Sequence, residues 1–247
     1  MSTDTSPAQT ARALDTLFAK TSDLAERLAL VREHVSGRIA FTSSFGREDQ
    51  AIVHAIATRR LDISVVTFDT GRLFPETLET IAATADRYRI AISVLSPDAD
   101  ATRSLVARDG ILGFRTSVEA RKACCKVRKV MPLANSLEGA AGWIVGLRRD
   151  QSTDRSGTPF VAYDDVFGVV KVSPLADWTE ERLSDYLAIN DIPTNPLHAA
   201  GYPSIGCAPC TRAVAPGDDP RSGRWWWEQY EGKECGLHAG RRKGAAA

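Results

Sequence analysis

The sequence has no long uninterrupted run of apolar residues and no surplus of charge of either sign. No stretch approaches the roughly 20 apolar residues that a membrane helix needs. Lysine plus arginine and aspartate plus glutamate both number 31, so no overall field favours a nucleic acid or a membrane surface as the partner. The sequence also lacks an internal repeat and a low-complexity linker. These absences leave an ordinary globular protein of 247 residues, long enough to bury a sizeable core.

Cysteine is scarce, with five residues in the whole chain. The polar start, MSTDTSPAQT, lacks the basic and apolar regions of a secretory signal, so we expect a cytoplasmic protein. Thiols are kept reduced in that compartment, where clustered cysteines are more often metal ligands or catalysts than structural disulfides.

Short apolar strands alternate with amphipathic helical stretches along much of the chain. Helical spacing of apolar residues predicts one or two helices over residues 6–35, and strands are predicted in GRIAF, LDISVVTF, AISVL and GWIVGLRR, the last ending in the paired arginines. This alternation is typical of an α/β fold with a mostly parallel twisted sheet flanked by helices. A further strand and helix are predicted over residues 166–193, followed by an irregular region rich in Gly, Pro and Arg. We predict one domain over residues 1–214 and a mobile C-terminal tail over residues 215–247.

Two turns at predicted strand ends are candidate nucleotide-binding sites. Ligands of open α/β sheets lie beyond the carboxyl ends of the strands, and the amides at a helix N-terminus suit a phosphate. The candidates are Ser43, Ser44 and Gly46 in the first turn, and Asp69, Thr70 and Gly71 in the second. A plain strand–helix connection is the alternative that these turns leave open.

Four cysteines form two pairs, the adjacent Cys124 and Cys125 in RKACCKVRKV and the C-x-x-C of Cys207 and Cys210 in GCAPC. Such a set is typical of zinc or of an iron–sulfur cluster, and unrelated buried cysteines are a third interpretation. Adjacent side chains on a helix diverge by about 100°, which strains a single-ion site but suits the separate corners of a cluster. Lys129, one helical turn after Cys125, is placed to offset the negative charge of a thiolate-bound cluster.

The fifth cysteine, Cys235, lies in KECGLH near the C-terminus. His238 follows it, and Arg221 and Arg224 lie upstream in DPRSGRWWW. A thiol near several cations is where a reactive cysteine is expected, although an incidental surface thiol has the same local pattern.

The ordered combination of ACCKVRK, GCAPCTR, GRWWWE and KECGLH, with TSSFGRED and FDTGRLFPET, resembles the assimilatory sulfonucleotide reductases. It is most similar to the thioredoxin-dependent adenylyl-sulfate reductases that carry an iron–sulfur cluster, over residues 39–238. The resemblance implies an adenine nucleotide α-hydrolase-like fold with a modified pyrophosphate loop. It also implies a [4Fe–4S] cluster held by Cys124, Cys125, Cys207 and Cys210, with Cys235 as the nucleophile.

The implied reaction is reduction of adenosine 5′-phosphosulfate to sulfite and AMP through an S-sulfocysteine on Cys235. A thioredoxin or glutaredoxin-like thiol would release the sulfite. We expect the cations mainly to neutralise the phosphosulfate oxygens, because a charge at the reacting group is worth about 3–4 kcal/mol. The candidates are Lys129, Arg221, Arg224, His238 and an arginine of the pair Arg148 and Arg149.

Two other function classes remain open on the sequence. An ATP-pyrophosphatase-type enzyme, for example one that thiolates a substrate, would share the fold, but SSFGRED lacks the paired glycines of its S-G-G-x-D-S loop. A non-catalytic zinc module would leave the isolated Cys235 unexplained. The sequence leaves open a preference for the 3′-phosphorylated nucleotide, the identity of the thiol donor and the formation of a homo-oligomer.

Overall fold

The computed structural model describes residues 6–228 of the chain, in which helices and strands alternate. The α-helices are Pro7–Phe18 (α1), Leu24–His34 (α2), Arg47–Thr58 (α3), Pro75–Tyr88 (α4), Ala99–Asp109 (α5), Val118–Cys125 (α6), Met131–Leu137 (α7) and Glu180–Ile189 (α8). The strands are Arg38–Thr42 (β1), Ser64–Phe68 (β2), Ile92–Leu95 (β3), Ala140–Ile144 (β4), Val161–Asp164 (β5) and Val169–Val172 (β6). A π-helical turn, Lys126–Val130, connects α6 to α7.

The strands form one sheet in the order β3-β2-β1-β4-β6-β5. Every neighbouring pair is parallel except β5 with β6, which is antiparallel. This confirms the α/β fold with a mostly parallel sheet. The pattern did not predict β5, a four-residue strand at the edge of the sheet.

Apolar side chains are buried on both sides of the sheet, as parallel sheets require. One core contains the apolar faces of α1, α2, α3 and α8 together with side chains of β1 and β2. A second core packs Leu133 and Leu137 of α7 against Ala40, Val66 and Trp143 of the sheet. The first helix begins where its sequence dictates, since Ser6 and Gln9 form a reciprocal capping box and Pro7 occupies the first turn.

The strand order reverses at β1. The chain runs outward from β1 through β2 to β3, and then returns to place β4 on the other side of β1. The carboxyl ends of β1 and β4 therefore flank a topological switch point, which is where open α/β sheets bind their ligands.

The last part of the described chain is irregular, as the sequence predicts. After α8 it contains two 3₁₀ turns and one isolated bridge, between Thr211 and Arg224. The segment after the predicted boundary at residue 214 packs against the domain up to Glu228, with Trp225 fully buried, and the boundary itself stays a prediction. No helix within residues 6–228 is long and apolar enough to cross a membrane.

Candidate active site

A cavity of about 940 Å³ lies at the carboxyl ends of β1 and β4, a volume that fits a nucleotide. Its walls join the turn at residues 43–46 to the segment 204–228, here called the wall segment. Eight of the residues singled out in the sequence line it: Ser43, Ser44, Gly46, Thr70, Lys129, Arg148, Arg221 and Arg224. The structure thus brings together one nucleotide turn, Thr70 of the second turn and four predicted cations, from five separate parts of the chain.

The 43–46 turn is held in a fixed shape between β1 and α3. Phe45 has a left-handed backbone (φ 58°) and its side chain is buried in the core. Its amide donates to Ser43 Oγ at 3.0 Å. Gly46 precedes α3 and provides no side-chain cap, so the first amides of this helix have no capping side chain and suit an anion.

Asp49 stabilises the same turn from within α3. Its Oδ2 accepts hydrogen bonds from the Ser44 amide at 2.5 Å and the Ser44 hydroxyl at 2.8 Å. Burial raises the pKa of Asp49 to about 6, although the bonds from Ser44 favour the ionised form. Gly146, two residues after β4, allows this packing, because a Cβ there would clash with Asp49 Oδ1. No pattern in the sequence around Asp49 indicates this role.

The side chains of Arg148 and Arg149, which follow β4, lie in different environments. Arg148 is buried beside the cavity, where its Nε donates to Glu48 at 2.8 Å and its Nη2 to Glu180 at 2.6 Å. Burial raises the pKa of Glu48, but the positive charge of Arg148 and the hydrogen bonds from Gln151, the backbone and Arg148 together outweigh this, so the pKa is lowered overall. Arg149 does not line the cavity; it lies over the Phe160 ring at 4.7 Å and donates to the Thr158 carbonyl at 2.8 Å. Both arginines lie beyond the strand that they were predicted to end.

The second predicted turn, at residues 69–71, is divided between two cavities. Thr70 lines the large cavity, whereas Asp69 and Gly71 line a neighbouring one of about 650 Å³. Thr70 Oγ1 lies 3.3 Å from Cys207 Sγ, and its carbonyl accepts from Arg128 Nη1 at 2.6 Å. Thr70 therefore connects the cavity to the cysteines.

The four paired cysteines converge behind this wall of the cavity, and all four are free thiols. Cys207, Cys210 and Cys124 pack in one cluster with Phe114 and Trp225. Burial, followed by the neighbouring Cys207 and Cys125, raises the pKa of Cys210 to about 12. Thiols from sites about 80 residues apart thus lie close enough to influence one another's ionisation.

Positive charge surrounds the cysteines. Burial raises the pKa of Cys207, but the charge of Lys129, the hydrogen bond with Thr70 and the charge of Arg224 outweigh it, so the pKa is lowered overall. Burial likewise raises the pKa of Cys124, which Arg72 and Arg128 only partly oppose. Among residues 6–228 no group of three or more His, Cys, Asp or Glu side chains is arranged so that it could hold a metal ion. The convergence of the four thiols is observed, and a bound cluster remains a prediction.

Arg224 is the predicted cation that the wall segment holds in place. It is buried and lines the cavity, and its Nη1 donates to Ser204 Oγ at 3.2 Å and to the Ile205 carbonyl at 3.3 Å. Its Nε has no hydrogen-bond partner within the described part of the chain. Gly206 leaves room for this guanidinium, because a Cβ at that position would displace it. Cys235 and His238 lie outside the described residues, so their predicted roles stay predictions.

Comparison with known proteins gives a consistent result. Residues 38–213 match the phosphoadenosine phosphosulfate reductase domain. A protein of Agrobacterium fabrum named adenosine 5′-phosphosulfate reductase is 53% identical over 216 residues, which cover 87% of this chain and 83% of the relative. A protein of the same name from Burkholderia cepacia is 45% identical over 238 residues, or 96% of this chain and 93% of the relative.

Solved structures support the fold. The phosphoadenylyl-sulfate reductase of Candida auris, in a phosphate complex, superposes with a TM-score of 0.69 at 20% identity, covering 83% of this chain and 96% of that one. The FMN adenylyltransferase of Candida glabrata gives a TM-score of 0.50 at 14% identity, covering 94% and 86% of the two chains. These likenesses confirm the adenine nucleotide α-hydrolase-like fold.

Proposed function

The chain belongs to the phosphoadenosine phosphosulfate reductase family, and from this premise we propose that it reduces adenosine 5′-phosphosulfate to sulfite and AMP during sulfate assimilation. The observation that carries the proposal is the cavity itself, in which the turn at residues 43–46 shares the lining with Lys129, Arg221 and Arg224 beside four converging thiols. The names of the relatives, adenosine 5′-phosphosulfate reductase, support this substrate.

The reaction is a transfer of the sulfonate group to a cysteine. The Cys235 thiolate attacks the sulfur of the sulfate, an S–S bond forms, the S–O bond to the phosphate breaks, and AMP leaves. One thiolate of a dithiol protein then attacks Cys235 Sγ and displaces sulfite. The second thiol of the donor closes a disulfide and returns Cys235 to the thiolate form, so the two electrons come from the donor.

The cations of the cavity act mainly on the substrate. An anionic thiolate must approach an anionic sulfate, and a donor fixed at the developing charge contributes about 3–4 kcal/mol. Lowering the pKa of the thiol from ~8.5 to ~6.5 contributes less than ~1 kcal/mol at pH 7, because nucleophilicity falls with the pKa. We therefore assign Lys129, Arg221 and Arg224, together with His238, to neutralising the phosphosulfate oxygens.

Across the described residues, 6–228, the converging thiols are not arranged around a single metal ion, and a [4Fe–4S] cluster, which offers a separate iron corner to each cysteine, is the group that they would hold. Four free cysteines supply the full set of thiolates that such a cluster takes, and Lys129, Arg72 and Arg128 place positive charge around them. Cys124, Cys125, Cys207 and Cys210 would hold it. The cluster would supply a fixed charge beside the sulfate, and no electron of the reaction needs to pass through it.

The donor is a thioredoxin or glutaredoxin-like dithiol protein, and the cytoplasm, which keeps such proteins reduced, is the compartment that suits it. The test below compares the two nucleotides as substrates and checks thioredoxin as the thiol donor.

The test is sulfite release from adenosine 5′-phosphosulfate and from its 3′-phosphorylated form, with reduced thioredoxin, for the wild type and Cys235→Ser. Before thioredoxin is added, mass spectrometry of the wild type should show an SO₃ adduct on Cys235. We expect no adduct and no sulfite from the variant, with AMP still bound. Sulfite from the variant at the normal rate would contradict the nucleophile, and pyrophosphate release from ATP would favour the ATP-pyrophosphatase class.

A further inference from the structure

A buried ion pair lies directly behind the cysteine cluster. Arg121 on α6 precedes Cys124 by three residues, and its Nε lies 2.5 Å from Oε1 of Glu228. The side chains are only 1% and 4% exposed. The pair joins positions 107 residues apart, so it fixes two distant parts of the chain to each other.

Both partners also hold the wall segment. The Arg121 guanidinium lies 4.3 Å from the centre of the Trp225 ring, and the Glu228 amide donates to the Trp225 carbonyl at 2.9 Å. Trp225 is buried, donates its amide to the Cys210 carbonyl at 3.1 Å, and lines the cavity with Arg224. The pair therefore fastens this wall of the cavity to the helix that carries two of the cysteines.

Stability alone is a poor reason for this arrangement. Removing two charges from water costs about as much as their attraction returns, so apolar residues of the same volume are often as stable in such a position. An ion pair fixes the relative orientation of its two side chains, because the guanidinium and the carboxylate must meet in one geometry. Apolar packing does not impose such an orientation.

We propose that Arg121 and Glu228 are positioning residues for the transfer of the sulfonate group. This proposal rests on the proposed function, in which Cys235 is the nucleophile. Cys235 follows Glu228 by seven residues, so its sulfur can reach no further than roughly 25 Å from that anchor. A displacement of the anchor moves both Arg224 and the starting point of the chain that carries the nucleophile. Misplacement by about 1 Å can slow a reaction about 100-fold.

The chain offers a matched control at a second buried arginine. Arg27 pairs with Asp177 at 2.6 Å, with side chains 2% and 31% exposed, in the core between α1, α2 and the loop before α8. Neither residue lines the large cavity. Glu228→Gln and Asp177→Asn both replace the acidic partner of a buried arginine with its amide, so they remove the same charge in two different places.

The experiment measures single-turnover sulfonation of Cys235 by quenched mass spectrometry, at saturating adenosine 5′-phosphosulfate and without thioredoxin. We expect Glu228→Gln to slow sulfonation about 10- to 100-fold, with the Kd of AMP changed less than about twofold. Asp177→Asn should lose thermal stability while sulfonating at the wild-type rate per folded molecule. Equal rates in the two amide variants would overturn the proposal.

A double variant, Arg121→Met with Glu228→Leu, separates positioning from stability. Apolar packing should restore the melting temperature, because neither charge is left buried alone, yet sulfonation should stay slow. Recovery of the wild-type rate together with the melting temperature would show that the pair serves stability only. Failure of the wild type itself to form the adduct would instead refute the proposed function, so the two failures are distinguishable.

Discussion

The floor and the wall of the cavity are built in different ways. The floor consists of the 43–46 turn, Asp49 and Arg148, all placed by the ends of β1, α3 and β4 and therefore by the regular hydrogen bonds of the sheet. The wall segment has only one 3₁₀ turn and an isolated bridge. Side chains hold it instead, through the thiols, the rings around Trp225 and the Arg121–Glu228 pair. We therefore expect the floor to be lost only when the whole domain unfolds. The wall segment, in contrast, should be able to unfold while the sheet stays folded.

Losing one cysteine of the cluster should have the largest effect on activity. Cys210→Ser removes one thiolate of the proposed ligand set and changes a buried residue that packs against Trp225, so we expect iron content and sulfite release to fall below detection. The far-ultraviolet circular dichroism should stay close to that of the wild type, while limited proteolysis should cut within residues 204–228. Removing iron from the wild type with a chelator should give the same cleavage pattern.

The contrast between the floor and the wall segment would be contradicted if Cys210→Ser unfolded the sheet together with the wall segment. It would also fail if the apo protein resisted proteolysis as well as the wild type does, because the wall would then have a support other than the cysteines.

Arg224→Ala should have the next largest effect on activity, and it changes a residue of the wall segment only. Losing a fixed donor at the sulfate is expected to lower kcat about 100- to 1000-fold, and Arg224→Lys should recover only part of it, since a lysine cannot reproduce the guanidinium fork. The melting temperature should change little compared with the activity. If a higher pH restored the activity of Arg224→Ala, Arg224 would act only on the pKa of Cys235. That result would contradict its assignment to the phosphosulfate oxygens.

Asp49→Asn tests the floor, where the expected effect is on stability. The folded protein holds the Asp49 proton more tightly than the unfolded chain, with a pKa of about 6 against an ordinary value of 3.8. The contribution of Asp49 to the free energy of unfolding is therefore greatest below pH 4. About 3 kcal/mol of this contribution is lost as the pH rises through 6. The asparagine keeps an acceptor for Ser44 and cannot ionise, so this part of the pH dependence should vanish.

Urea unfolding of the wild type and Asp49→Asn at several pH values between 4 and 7 measures this difference. Parallel curves for the two proteins would show that Asp49 titrates normally and that the turn is held by other bonds.

The sequence predicts the floor better than the wall for a physical reason. Short apolar strands, helix starts and strand-end turns are local patterns, and they correctly predict the parallel sheet and the position of residues 43–46. They miss β5, a four-residue strand at the edge of the sheet. They also miss the role of Asp49, because its burial depends on a contact with Gly146, which lies far away in the chain.

The wall depends on contacts between distant residues. The C-x-x-C spacing and the adjacent Cys124 and Cys125 indicate two ligand pairs, but only the family resemblance implies that all four cysteines hold a [4Fe–4S] cluster rather than zinc. Nothing near Arg121 or Glu228 in the sequence indicates that they meet, and the π-helical turn after Cys125 depends on how the helix packs. Such features become visible only when the chain is folded.

The smallest effect on activity is expected for Arg149→Ala, although the neighbouring Arg148 belongs to the floor. Arg149→Ala removes a bond to the Thr158 carbonyl and a contact with Phe160 outside the large cavity, which should cost about 1–2 kcal/mol of stability. Because it lines no part of the cavity, kcat and KM should stay within about twofold of the wild type. Arg148→Ala instead removes a cation shared by Glu48, which is largely buried, and Glu180, which is half exposed and also pairs with Arg47. Because only Glu48 is left largely buried without this cation, the loss of stability should be about 3 kcal/mol, the lower end for a broken buried pair. A large loss of activity in Arg149→Ala with normal stability would assign the substrate contact to Arg149 and would require the loop after β4 to rearrange when the nucleotide binds.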